Sequence, residues 1–119
     1  MARIPYFDPA NADGKLKETI DKLPGLNIFR MMAHSDGLLA KFTGLGNHIL
    51  GRAKLDATLR EIAIIRVGVL SKASYEVHQH ERIGRQIGMS DDLIKALHEG
   101  PEAEAFDDIQ RLVMLYTDD

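Results

Sequence analysis

Residues 58–70 set the strongest limit on how this chain can fold. They read Thr58-Leu-Arg-Glu61-Ile-Ala-Ile-Ile-Arg66-Val-Gly68-Val-Leu70, with apolar side chains around most of a helix circumference. A helix of that kind is buried, whereas a surface helix keeps one face polar. It runs at once into Ser71-Lys72 and a second helical stretch, residues 73–87, which carries two ionisable groups, Glu76 and His80, four residues apart. Burying such groups costs free energy unless they are paired, so a carboxylate and an imidazole on core-facing helices mark a candidate site.

Helix geometry brings the polar groups together. At roughly 100° per residue, Ala73, Glu76, His80, Ile83, Gly84 and Ile87 share one stripe of the second helix. Glu61, Ile64, Ile65 and Gly68 share one stripe of the first. Two antiparallel helices joined at Ser71-Lys72 would pack these stripes against each other, with Gly68 and Gly84 permitting close approach. Glu61, Glu76 and His80 are then expected in one pocket, while His78 falls nearly opposite His80, on the surface or at an interface.

The rest of the chain is also helical in its spacing. Residues 1–12, with Pro5 and Pro9, read as an extended arm, and 13–22 as a short helix stopped by Leu23-Pro24-Gly25. Helical runs follow from Asn27 to about His34 and from Leu38 to Leu50. Gly44, Gly46 and Gly51 in the latter mark bends or close helix contacts. Asp56 or Thr58 can cap the helix that holds Glu61, and Thr58-x-x-Glu61 has capping-box spacing. Gly88 is the expected stop of the next helix, Ser90 the cap of a short helix through His98, and Phe106 to Tyr116 a last one. No segment reads as a strand. The expected fold class is all-α, a helical bundle of about five to seven helices. The expected organisation is an N-terminal arm and short helix over 1–24 and a single helical domain over 25–119.

Composition removes several function classes. A chain of 119 residues is one domain by size, with enough mass for a core without staples. A net charge of -3 argues against a nucleic-acid partner, which calls for a basic face. The absence of cysteine excludes disulfides, Cys-containing zinc sites and thiol chemistry. No signal-like or membrane-spanning apolar run is present, so the expectation is a cytoplasmic protein with no membrane partner.

The spacing of Glu61, Ala73, Tyr75, Glu76 and His80 resembles the carboxymuconolactone decarboxylase and alkylhydroperoxidase D family over about residues 25–119. In the family's peroxidase branch a Glu stands twelve residues before a Cys-x-x-Cys pair, with a His four residues after the second Cys. Glu61 and His80 match the ends of that proton relay, and Tyr75 a common position between the thiols. Ala73 and Glu76 occupy the thiol positions, which puts thiol peroxidase activity out of reach. The segments Leu55–Arg66 and Arg82–Leu97 also look like the family's corresponding helices. The resemblance implies an alkylhydroperoxidase D-like helical fold, assembly as trimers or hexamers, and peroxidase or lactone-decarboxylating activity. Many relatives continue past the helix at which this chain stops.

Each candidate residue has a plainer reading beside the functional one. Glu61 can be a capping-box carboxylate, His80 a core histidine bonded to a backbone carbonyl, and Glu76 an i,i+4 partner of His80. Arg66 can bind a substrate carboxylate, with Tyr75 helping to orient it, or form an ion pair inside the bundle. Glu76 and His80 joined by His34 or His48 is the one arrangement resembling a metal set; its spacing does not demand a metal, and no metal or cofactor is expected. The resulting expectation is a cofactor-free lyase or isomerase on a small carboxylated lactone or related ring acid. In it His80, Glu61 and Glu76 are catalytic, His80 is the proton donor, and Arg66 and Tyr75 bind substrate. The rival is a non-catalytic, oligomeric ligand-binding member. Self-association is expected from the all-round apolar helix too, since a short chain has few elements to cover it.

Overall fold

A computed structural model describes residues 3–35 and 37–119. Among them every regular element is helical, so the chain is all-α, as its spacing predicts. After a single 3-10 turn at Pro9–Asn11 come α1 (Gly14–Ile20), α2 (Asn27–Met32), α3 (Leu38–Gly51), α4 (Ala57–Leu70), α5 (Ser74–Gln86), α6 (Asp91–Glu99) and α7 (Asp108–Asp118). The first two residues of the expected arm lie outside the described residues. None of the described helices is long and apolar enough to cross a membrane.

The chain divides into two compact units, residues 1–53 and 54–119. The boundary expected after residue 24 falls inside the first. In that unit Ile20, Ala33 and Leu39 form a small core, with Phe7, Leu16, Phe29 and Met32 packed on it. The arm is fastened to α2: the Phe7 N–H donates to the Arg30 carbonyl (3.3 Å), and Arg30 Nε donates to the Phe7 carbonyl (3.0 Å). Gly44 and Gly46 have open space where a Cβ would stand, so they mark no close helix contact.

The second unit is built around α4. Asp56 caps it, its carboxylate accepting from the N–H groups of Thr58 (2.9 Å) and Leu59 (3.1 Å). That settles the choice between Asp56 and Thr58, and it removes the Thr58-x-x-Glu61 capping box. With Asp56 as the cap the third helical residue is Leu59, and Glu61 lies too far along to reach the helix start. Helices α5, α6 and α7 all pack on α4. Ile62 and Ile65 are wholly buried there, with Leu97 of α6 and Met114 of α7. Each such side chain contributes about 1.5–3 kcal/mol relative to an exposed one.

The turn after α4 folds α5 back alongside it. Lys72 adopts the left-handed conformation (φ 55°), the Ala73 N–H reaches the Gly68 carbonyl (2.9 Å), and the Lys72 N–H reaches that of Val69 (3.1 Å). This is the double hydrogen bond of a Schellman motif. The α4–α5 contacts then run antiparallel: Gly68 meets Val77, and farther back along α4 Glu61 meets His80. A Cβ on Gly68 would stand 2.9 Å from Val77 Cγ2, so close approach of the two helices depends on that glycine. Gly84 plays a different part, facing Met89 and lying near Ile65 and Ile94.

Candidate functional site

Antiparallel packing of α4 on α5 brings Glu61 and His80 together. Glu61 has no exposed surface. Its Oε2 accepts from His80 Nδ1 at 2.7 Å, and its Oε1 accepts from Arg60 Nε at 3.1 Å. A carboxylate only accepts, so Nδ1 carries the proton and the imidazole tautomer is fixed. The other ring nitrogen, Nε2, lies 3.9 Å from Glu76 Oε2, one helical turn earlier on α5. That separation exceeds a hydrogen bond. The order is therefore a buried carboxylate, a largely buried imidazole and, beyond hydrogen-bond reach, a half-exposed carboxylate.

Glu76 also lines an open groove of about 350 Å³ on the α4–α5 hairpin, with Ala63, Ile64, Val67, Gly68, Ser71 and Ala73 as its other walls. The volume is that of a small-molecule site. Among the described walls only Ser71 and Glu76 carry polar side chains; Glu61 and His80, expected in one pocket with Glu76, are not walls of this groove.

The two residues expected to bind substrate lie elsewhere. Arg66 is about 140° around α4 from Glu61. Its Nε and Nη2 donate to the two carboxylate oxygens of Asp118 (2.6 and 2.7 Å), and its Nη1 donates to the Leu97 carbonyl (3.0 Å). This is the ion pair inside the bundle, tying α4 to α6 and α7. Tyr75 is 37% exposed and is not among the groove walls. His78 is exposed. His34, in the first unit, places Nε2 2.8 Å from the Pro5 carbonyl and its ring edge-on to Phe7, and His48 is exposed on α3. No group of three His, Asp or Glu side chains among the described residues is close enough to hold a metal ion.

A family model, the carboxymuconolactone decarboxylase family, matches residues 36–118, well over half of the chain. The chain belongs to that family. No curated protein and no solved structure matches it. As a family member it is free of cysteine. Ala73, at one thiol position, is the N-cap of α5, and Glu76, at the other, lies in its first turn.

Two residues of this arrangement escaped sequence reasoning. Arg60 adjoins Glu61, and neighbours in sequence do not normally face each other on a helix; here the long arginine side chain curls back. Asp118 is 52 residues from Arg66. The one signal for it was Arg66 itself, since a guanidinium on a buried helix requires a counter-ion.

Proposed function

We propose that the chain is a cofactor-free acid/base catalyst acting on a small unsaturated ring compound of the lactone class. His80 is the group that moves the proton. The observation that carries this reading is the 2.7 Å contact of His80 Nδ1 with Glu61. With Nδ1–H held there, the neutral ring keeps a lone pair on Nε2, on the side of Glu76, which is itself a wall of the groove. Nε2 removes a proton from a carbon adjacent to a carbonyl, leaving a dienolate, and the resulting Nε2–H returns it at the far carbon. Glu61 stabilises the imidazolium that exists in between. Decarboxylation, the family's lyase reaction, would also need a cation to hold the substrate carboxylate. The guanidinium expected for that task, Arg66, is bonded to Asp118 and Leu97. Proton-shift isomerisation needs only the relay and is the better supported branch.

The test is turnover of a panel of lactones and related ring compounds, followed by ultraviolet absorbance. His80→Ala is expected to lower the rate at least ~100-fold with helical content unchanged. Equal turnover by the variant would overturn the assignment.

One observation favours the non-catalytic alternative. Glu61 accepts from both Arg60 and His80, and so satisfied a network serves packing by itself. Thermal stabilisation by ligands with no turnover across the panel would be its signature.

The same proposal includes self-association, in the trimers or hexamers that the family resemblance implies. Leu38, Phe42, Leu45 and Ile49 on α3 and Ile109, Leu112 and Tyr116 on α7 are each more than a third exposed, at spacings of three and four. Apolar stripes of that kind call for cover.

A further inference from the structure

The charge on the groove walls bears on which molecules can sit there. Of the described side chains that line the groove, Glu76 alone is ionisable. Its side chain is 43% exposed, so it faces both the groove and solvent. Taken together, Arg60, Glu61, His80 and Glu76 carry a neutral or negative balance in either state of the imidazole. With His80 neutral, Glu61 and Arg60 cancel and Glu76 leaves one negative charge; with His80 protonated, the sum is zero. Neither state offers an anion a net positive partner.

The guanidinium groups that could reverse this sign are committed. Arg60 donates to Glu61, and Arg66 is held in a bidentate pair with Asp118 and by the Leu97 carbonyl. Lys72, at the turn, is exposed and is not a groove wall. Helix ends do not decide the matter either. The N–H groups that begin α5 and the carbonyls that end α4 flank the same turn and act in opposite senses. The full charge of Glu76 then sets the preference.

We infer that the α4–α5 groove takes a compact apolar molecule bearing a protonated amine, its ammonium paired with Glu76 and its hydrocarbon against Ala63, Ile64, Val67 and Ala73. This deepens the acid/base reading and rests on it, because it assigns a ligand class to the groove that Glu76, 3.9 Å from His80 Nε2, helps to line. It also turns away from the ring acids that the family's name brings to mind. An ammonium pairs with the Glu76 carboxylate, whereas a carboxylate in the same place meets like charge.

Three probes of similar size test it: benzylamine, benzyl alcohol and benzoate, titrated at pH 7 with amide shifts of residues 63–76 followed by NMR. Benzylamine is expected to shift the groove amides with a Kd at least ten-fold below that of benzoate, and benzyl alcohol to fall between. Glu76→Gln should abolish the preference for the amine, bringing the Kd values of benzylamine and benzyl alcohol together. Benzoate binding as tightly as benzylamine, a preference that survives Glu76→Gln, or no groove shift from any probe would overturn the inference. The titration reads binding alone. Loss of the amine preference with His80-dependent turnover intact would refute only the charge selection. An intact preference with no turnover would refute only the catalytic reading.

Discussion

Glu61 has both oxygens engaged and no contact with solvent, so it responds to substitution more sharply than a surface carboxylate. Glu61→Gln keeps the shape but removes the charge from two hydrogen bonds. The expected loss is about 1.5–3 kcal/mol in urea unfolding, and an unchanged midpoint would contradict the pairing. The two buried glycines of the hairpin should separate in the same assay. Gly68→Ala sets a Cβ 2.9 Å from a methyl of Val77, a β-branched side chain that cannot swing aside on its helix. Against a helix-propensity gain of about 1 kcal/mol, overpacking of about 1–3 kcal/mol should make the variant less stable. Gly84→Ala meets the sulfur of Met89 at the same distance, but methionine repacks readily, so the change should stay within about 1 kcal/mol. At this scale the shared stripe of Glu76 and His80, and its juxtaposition with Glu61, were legible because they follow from helical period and one tight turn. The fate of Arg66 was not, because its partner comes from a helix far along the chain that no local spacing fixes.

The helix ends decide which side chains the α4–α5 hairpin brings together. Asp56 caps α4 and so frees Glu61 from the helix start, which sequence alone left open because Thr58 offers the same chemistry two residues later. The stop at Gly88 and the caps at Ser90 and Asp107 follow familiar turn chemistry; Gly88 has φ 98°, and Asp107 forms a capping box with Gln110. Lys72 is the exception, a side-chain-bearing residue at a position that favours glycine. Lys72→Gly should relieve roughly 1 kcal/mol of left-handed strain, less the added freedom of the unfolded chain, and raise the thermal midpoint. A lowered midpoint would show that the lysine side chain holds the turn. The Arg66–Asp118 pair ties α7 to α4, and the hydrogen bonds from Arg66 hold the Asp118 carboxyl below its usual range. A carboxyl lowered in the folded state adds stability that is fully present above its unfolded pKa, near ~3.9, and is lost as pH falls through the folded value. Asp118→Asn should therefore be less stable than the parent at neutral pH, with the gap closing below about pH 4. A gap constant across that range would contradict the linkage.

For the whole molecule, composition and helical spacing were enough to place the chain among all-α proteins, and the Glu61-to-His80 spacing enough to indicate the family. Spacing did not show the division at residues 53 and 54, since the apolar residues of α2 and α3 carry no mark of which neighbours they pack against. The exposed stripes on α3 and α7 predict a particle larger than one chain. Light scattering at micromolar concentration should return a multiple of 13.3 kDa, and Leu112→Glu or Leu45→Glu should reduce it. A monomer mass for the parent would count against assembly. The proton-transfer role proposed for the hairpin is tested most directly by solvent exchange, which needs no knowledge of the product. Unsaturated lactones incubated with the protein in D₂O are followed by proton NMR for deuterium entering the carbons conjugated to the carbonyl. The parent chain should catalyse that exchange on at least one ring compound, and His80→Ala should slow it ~100-fold or more. Exchange at the parent rate in His80→Ala, or none with the parent on any of them, would contradict a proton-transfer site at His80.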